Sequence, residues 1–389
     1  MAEIEVDRDW KRALSLIPTR IPESHKGTYG KVLIVAGSRG MCGAAFLSAF
    51  SCYRSGAGLV KILSHADNRI PLQMLLPEAI VDTYDETTEL VCLAERELTW
   101  ADAVIIGPGL GKSLLSQALL RAIADGLQKL NGGHPKTCHP DFMLLDADAL
   151  NMISDGVLDR QTEFSGLDTF SHLSGMYVVI TPHPMEMKRL LRHDGIEKET
   201  SEINEDALTI AATFATKHNV TTVLKSAGTV VAMPNHATET GIDGEKSEVD
   251  LSFLVYGTVF QCPLVSPALS KGGSGDVLSG VITGIYMLLR AEAKAASVDK
   301  ASKDRDGTEK TGTLLLDVIM AFQAAKAGVI LHVLAGGEAA KVHGTHGVLA
   351  RETADEIPLV IEQAIEGKYS VRPVKVSDAE LQRDINFLD

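Results

Sequence analysis

Short apolar runs alternate with longer helical patterns along most of this chain, and that alternation restricts its fold more than any other feature. Segments 31–37 (KVLIVAG), 59–63, 102–106, 142–146 (FMLLD), 176–181 and 222–225 read as strands that are apolar on both faces. Segments 43–54, 113–130 and 204–218 carry helical spacing, and another helix is expected from Asp276 to about residue 290. Strands that alternate with helices need crossover connections, and a sheet buried on both faces has no polar alternation. The expectation is an α/β fold, a mostly parallel central sheet with helices on both faces. With 45% hydrophobic and 23% charged residues over 389 positions, the chain has enough apolar surface for one large core. A single domain over 1–389 is expected, with three stretches outside the core. These are an N-terminal extension at 1–24 and surface insertions at 235–262 and 292–311.

A net charge of −14 argues against a nucleic-acid partner, which requires clustered Lys and Arg to displace phosphate counterions. The start, MAEIEVDRDW, is acidic and lacks the apolar run of a secretory signal, and no segment is an uninterrupted apolar span. Cys42, Cys52, Cys92, Cys138 and Cys262 are odd in number, scattered and without a CxxC. They read as reduced thiols in a cytoplasmic protein.

Four segments at strand ends carry candidate chemistry. Lys271-Gly272-Gly273-Ser274-Gly275-Asp276 opens a helix, where glycine-freed amides and the helix dipole favour a phosphate. Asp276 is there either an N-cap or a base that takes a proton from a substrate hydroxyl. Gly107-Pro108-Gly109-Leu110-Gly111-Lys112-Ser113 is not a P-loop, because Ile106 stands where the first glycine is needed. It reads as a ligand-lining turn at the carboxyl end of a strand, or simply as a tight turn. Asp146 and Asp148, two apart in an extended segment, would face one side and could approach a metal–polyphosphate, unless one caps the next helix. In Thr181-Pro182-His183-Pro184-Met185-Glu186, two prolines hold His183 rigidly, and Glu186 opens a helix where it could hold a Mg²⁺ water. Lys225-Ser226-Ala227-Gly228-Thr229 joins two apolar strands, as a plain turn or as a nucleotide contact. His343 and His346 could share a metal on a helix, but Gly344 and Gly347 favour a loop.

The order of these segments resembles the NAD(P)H-hydrate dehydratases of the ribokinase-like superfamily. The likeness covers residues 20–362. It begins with Ser24-His25-Lys26-Gly27-Thr28-Tyr29-Gly30-Lys31, Gly43-Ala44-Ala45 and Arg54-Ser55-Gly56-Ala57-Gly58. It continues through Gly107–Gly111, Leu145-Asp146-Ala147-Asp148-Ala149-Leu150, Thr181–Pro184, Lys271–Asp276, His332 and Gly347-Val348-Leu349-Ala350. The N-terminal epimerase domain often fused to this family is expected to be absent. Three departures stand out. Met185 replaces the glycine usual after the His-Pro pair. Lys225-Ser226-Ala227-Gly228-Thr229 replaces Lys-Gly-x-x-Thr. Before the phosphate loop, Gln261-Cys262-Pro263-Leu264-Val265-Ser266-Pro267 stands where Thr-Gly-Asn-Pro or similar is usual.

The resemblance implies a metabolite-repair hydro-lyase. It would return the S epimer of hydrated NADH or NADPH to NAD(P)H, with ADP, or ATP, as phosphoryl donor and Mg²⁺ as cofactor. It implies Asp276 as base, with the hydrated dinucleotide near Ala44, Ala45, Gly109, His183 and Asp276. The adenine nucleotide would lie along Lys225, Ser226, Ala227, Gly228 and Thr229, with Gly273, Ser274 and Gly275 at its phosphates. Any metal contact of Glu186 or Asp148 would run through the Mg–nucleotide. A cytoplasmic homo-oligomer, up to a tetramer, is expected, with small molecules as its ligands. The rival readings are a vitamin-precursor or sugar kinase of the same superfamily, and a non-catalytic nucleotide sensor.

Overall fold

The computed structural model describes residues 6–131, 140–159, 176–234, 258–301 and 311–367. Cys138, residues 235–257 and residues 302–310 lie outside the described residues. The strands are β1 (Val6–Asp7), β2 (Lys31–Val35), β3 (Leu59–His65), β4 (Ile80–Tyr84), β5 (Ala103–Ile106), β6 (Phe142–Leu145), β7 (Tyr177–Ile180), β8 (Thr221–Leu224), β9 (Val230–Ala232) and β10 (Val259–Gln261). Helices α1 (Trp10–Ser15), α2 (Cys42–Arg54), α3 (Arg69–Leu75), α4 (Leu90–Trp100), α5 (Leu114–Asn131) and α6 (Asp148–Ser154) belong to the first half. They are followed by α7 (Pro184–His193), α8 (Thr200–Glu205), α9 (Ala207–His218), α10 (Ser274–Ala301), α11 (Thr311–His343) and α12 (Ala350–Ile365).

The strands form one ten-stranded sheet in the order β1-β10-β9-β8-β7-β6-β5-β2-β3-β4. Among them only β9 runs against the rest. Alternate residues of each strand serve opposite faces. Val32, Ile34, Ile62, Ile105 and Leu144 pack with α2, α10, α11 and α12. Leu33, Val35, Leu63, Ile106 and Met143 pack with α4 to α9. Burial on both sides explains why the central strands are apolar throughout.

The chain leaves β2 for β3 and β4 on one side, then returns to β5 beside β2 and proceeds to β6, β7 and β8 on the other. The order therefore reverses between β2 and β5, and the loops that follow both strands open at the carboxyl edge, where α/β sheets bind ligands. Helix α10 is brought there by an unusually close packing on α2. A Cβ at Gly280 would stand 2.1 Å from Ser51 Oγ, and one at Gly284 would stand 1.9 Å from Ser55 Oγ. Ser48 Oγ and Ser279 Oγ hydrogen-bond at 3.0 Å across the same crossing.

Each of the three stretches set outside the core departs from its expectation in part where it is described, the third in being helical although its residues 292 and 294–296 are exposed. In the 1–24 stretch, β1 pairs in parallel with β10, and Trp10, Ala13, Leu14 and Ile17 are buried. Lys326 of α11 reaches Asp7 at 2.9 Å, and both side chains are buried. At the end of 235–262, Val259 and Phe260 are sheet residues with no exposure. In 292–311, helix α10 continues to Ala301 instead of breaking into a loop. Those residues are mostly Ala, Lys, Glu and Ser, and a helix already nucleated extends through good helix formers without an apolar face.

Among the described residues, one segment, Val318–His343 of α11, has the length and apolarity of a membrane span. Most of it is buried inside the fold, and Gln323, Lys326 and His332 interrupt it. Cys42, Cys52, Cys92 and Cys262 are free thiols.

Candidate active site

The loops after β2 and β5 are joined at the switch point. The Gly37 amide donates to the Pro108 carbonyl at 2.9 Å, and the Ser38 amide donates to that of Gly109 at 2.6 Å. Gly109 has φ +58°, and a Cβ on it would stand 2.8 Å from Ala44 Cβ. Ala44, in the first turn of α2, thus lies against Gly109 although more than sixty positions separate them in the chain, while the neighbouring Ala45 is fully buried against Gly37. Behind this turn, a Cβ at Gly107 would fall 1.8 Å from the Asp146 carbonyl, so only glycine lets the β6 end approach.

The two carboxylates after β6 do not form the extended pair expected of them. Ala147 between them has φ +49°, and Asp148 already begins α6. Asp148 Oδ2 accepts the Gly111 amide at 2.8 Å, and its Oδ1 accepts Asn151 Nδ2 at 3.3 Å, so it braces the glycine-rich turn. Asp146 is buried and turns the other way. Its Oδ1 accepts Thr181 Oγ1 at 2.7 Å and Lys225 Nζ at 2.8 Å.

His183 is the N-cap of α7. Its Nδ1 accepts the amides of Met185 and Glu186, at 3.1 and 3.2 Å, and Glu186 Oε2 accepts the His183 amide at 2.8 Å. Such a reciprocal box holds the ring firmly. Because Nδ1 accepts, the proton of the neutral ring sits on Nε2, 3.4 Å from Glu186 Oε1. Burial, helped by the charge of Lys225, lowers the imidazole pKa and so favours the neutral ring. Glu186 is pushed the other way: burial raises its pKa despite Lys225 Nζ at 3.8 Å. For Lys225, burial opposes the charge, but Asp146, Glu186 and Asp276 outweigh it and hold the pKa above the ordinary lysine value. The rest of its turn, Ser226, Ala227, Gly228 and Thr229, closes through a 2.9 Å bond from Thr229 Oγ1 to the Ser226 carbonyl and faces outward.

Opposite stands the start of α10. Val277 donates to the Gly273 carbonyl at 3.1 Å, so Gly273, with φ +91°, is the residue at the cap position. Asp276 is therefore three residues inside the helix and is not its N-cap. A capping residue without a side chain cannot satisfy the next amides. The Ser274 amide donates to the Lys271 carbonyl at 3.2 Å, but those of Gly275 and Asp276 have no partner among the described residues. Two free donors at a helix N-terminus make an anion site. The position of a Gly275 Cβ lies 3.4 Å from Lys225 Nζ and 3.7 Å from Asp146 Oδ2, which puts that ion pair against the same turn. The Asp276 carboxyl is partly buried and accepts no hydrogen bond from a described residue. Burial, then the charge of Asp146, pushes its pKa up to about 7 against the pull of Lys225, and Asp148 adds to the rise.

Among the described residues, no three His, Cys, Asp or Glu side chains are grouped to hold a metal by themselves. Asp148 and Glu186 already accept backbone amides. His343 ends α11, 3.7 Å from Glu352, and the His346 carbonyl accepts Lys271 Nζ at 2.8 Å. The acidic lining next to the anion site suits a cation that arrives with phosphate oxygens, since Mg²⁺ is bound through one or two carboxylates plus phosphates.

The family model described as NAD(P)H-hydrate dehydratase matches residues 32–249. The chain belongs to the NAD(P)H-hydrate dehydratase family. It is 30% identical over 348 residues to the bifunctional NAD(P)H-hydrate repair enzyme of Vibrio cholerae, an alignment that covers 89% of this chain and 52% of that protein. The chain thus spans about half the length of the bifunctional family members that it matches. It is 29% identical over 303 residues to the ADP-dependent (S)-NAD(P)H-hydrate dehydratase of Enterococcus faecalis, covering 77% of this chain and 85% of that one. The fold matches the Bacillus subtilis ADP/ATP-dependent NAD(P)H-hydrate dehydratase crystallised with ATP and Mg²⁺. The TM-score is 0.62 at 24% identity, over 94% of this chain and all of that one. A ribokinase-like superfamily protein of Enterococcus faecalis matches with TM-score 0.61 at 24% identity, over 91% and 94% of the two chains, so the dehydratase fold here is ribokinase-like.

The sequence motifs had pointed to each loop separately. They did not reveal that Asp146, Thr181 and Lys225 form one buried network, or that His332 of α11 reaches Ser274 at 3.2 Å. The available signal was an acid and a base at the carboxyl ends of two strands, which becomes informative only once the strand order is known.

Proposed function

We propose that this chain dehydrates the S epimer of hydrated NADH and NADPH, with ADP or ATP as phosphoryl donor. The observation that carries the reading is Asp276, a carboxyl tuned to about 7, beside the two free amides of Gly275 and Asp276 and across from Lys225. A base with a pKa near the working pH is best suited to take a proton from a hydroxyl.

The terminal phosphoryl group sits on the Gly275 and Asp276 amides, with Lys225 balancing its charge. Asp276 takes the proton of the ring hydroxyl as the oxygen attacks phosphorus, and the bond to the departing AMP, or ADP from ATP, breaks. The ring carbon–oxygen bond then breaks with its electron pair going to phosphate, and a proton lost from the adjacent ring carbon restores the double bond. Hydroxide leaves poorly and phosphate leaves well, which is why a nucleotide is needed. Ala44, Ala45 and Gly109 form the floor that receives the dinucleotide, and the Nε2–H of His183 donates to it. The turn Lys225–Thr229 carries the adenine nucleotide. Asp148 and Glu186 would hold a Mg²⁺ that arrives with the nucleotide, and that ion would supply charge to offset the negative charge on the phosphates. Positioning and charge stabilisation supply most of the rate.

The reading includes a cytoplasmic homo-oligomer. It is supported by the free thiols and by exposed Ile70, Met74, Leu75 and Ile80 on α3 and the β4 edge. Light scattering tests the assembly. For the reaction, purified protein is mixed with hydrated NADH, Mg²⁺ and either ADP or ATP, and the return of NADH absorbance is followed. Nucleotide-dependent recovery with release of phosphate is expected. A stable phosphorylated product instead would identify a small-molecule kinase, and binding without turnover a sensor.

A further inference from the structure

His332 is a polar residue in an apolar stretch of α11, flanked by Ile330, Leu331, Val333 and Leu334. It is 6% exposed, and its Nε2 lies 3.2 Å from Ser274 Oγ. Burial, helped by Lys225, pushes its pKa down to about 4, so the ring is neutral in the working range. An imidazole without charge costs desolvation at such a place unless it is hydrogen-bonded, and an aliphatic side chain would pack there without that cost. Its partner is what distinguishes the position.

Ser274 is the first residue of α10, between the glycine at the cap and the free amide of Gly275. The turn before it is anchored at Lys271, whose Nζ donates to the His346 carbonyl, and at Gly273, packed against Leu47 and Ala350, whereas Gly272 has open space around its Cβ position. A serine hydroxyl at a helix start tends to turn back onto free amides of its own helix. Here the hydroxyl is tied to a neighbouring helix instead.

We propose that His332 is a positioning residue for the phosphoryl group: through Ser274 Oγ it fixes the first turn of α10, so that the Gly275 and Asp276 amides stay open and aligned. This rests on the reading of that turn as the nucleotide's phosphate site.

The test uses the full chain with ADP and ATP as probes, in the variants His332→Leu, His332→Gln, Ser274→Ala and the double variant His332→Leu/Ser274→Ala. Nucleotide affinity is measured by calorimetry, and KM and kcat by NADH recovery. His332→Leu is expected to weaken nucleotide binding about tenfold, the effect of one lost hydrogen bond, and to leave the KM for hydrated NADH within about twofold. His332→Gln, which can still reach Ser274 Oγ, recovers most of the affinity. The double variant is no worse than the worse single one, because both remove the same contact.

Wild-type nucleotide affinity in His332→Leu overturns the proposal. So does equal impairment of the Leu and Gln variants, or full additivity in the double variant. If His332→Leu does not fold, His332→Gln and Ser274→Ala still decide, since Ser274→Ala with unchanged affinity is equally fatal. Wild-type protein that binds neither nucleotide refutes the parent reading instead.

Discussion

Replacing Asp276 by Asn should inactivate the protein and at the same time make it more stable above neutral pH. The folded structure raises this carboxyl from an ordinary 3.8 to about 7. Its charged form is therefore disfavoured in the native state relative to the unfolded chain. Three pKa units at 1.36 kcal/mol each set an upper limit of about 4 kcal/mol. Solvent at the open side of the site reduces it, and about 2 kcal/mol is the expected gain. The sign follows from proton binding. Between about pH 4 and 7 the native state holds more protons at this site than the unfolded state, so wild-type stability from this group falls as pH rises through that window. Below it the neutral acid and the amide are equivalent, and the variants should coincide. Above pH 7 the difference is complete. Lys225 keeps Asp146 at 2.8 Å in either case, so the substitution strands no cation. Urea midpoints of both proteins at about pH 4 and about pH 8, with the m value constant, measure the effect. Activity should drop by about 10² or more at every pH. Superposed stability curves at pH 8, or a less stable Asn variant there, would refute the claim that the fold destabilises this charge.

The kcat/KM profile should have an acid limb near pH 7, falling about tenfold per unit below it. Asp146→Asn, which removes a charge that raises the Asp276 pKa, should move the limb to lower pH. A limb that does not move would exclude Asp276 as the titrating base. Gly280→Ala places a Cβ 2.1 Å from Ser51 Oγ and 2.2 Å from the Ser48 carbonyl, forcing α2 and α10 apart. It should cost about 1–3 kcal/mol and lower the thermal midpoint, and an unchanged midpoint contradicts the packing. Lys326→Met leaves Asp7 buried without its cation and should cost about 3–5 kcal/mol in a denaturation experiment. Adding Asp7→Asn should recover much of it.

The strands that were easiest to read were those buried on both faces, because KVLIVAG or FMLLD has no polar position to confuse with a loop. The elements that escaped reading were short or at the edges. Strand β1 has two residues and pairs with β10 across some 250 positions, and β10 has three and lies between β1 and β9. Trp10, Leu14 and Ile17 looked like part of an extension for the same reason: the partner that buries them is remote in sequence. Apolar spacing marks α10 only to about residue 290, whereas propagation from a buried start needs only good helix formers and carries the helix on to Ala301.

Within the site, the division runs along locality. The glycine-rich turn and helix start at Lys271–Asp276, and the capped start of α7 at His183, are fixed by torsions and hydrogen bonds among residues two to four apart, so residue order alone specified them. The tuning of Asp276 is not local. Its charge state depends on Asp146 and Lys225, which lie 130 and 51 positions away in the chain, and on how much water the surrounding helices exclude. Electrostatic energy depends on distance through space and on the medium, neither of which is written in residue order. Sequence by itself determined the layered α/β architecture and the family of loops at its carboxyl edge. Only the tertiary structure decided that one carboxyl in those loops is held near neutrality, beside two free amides.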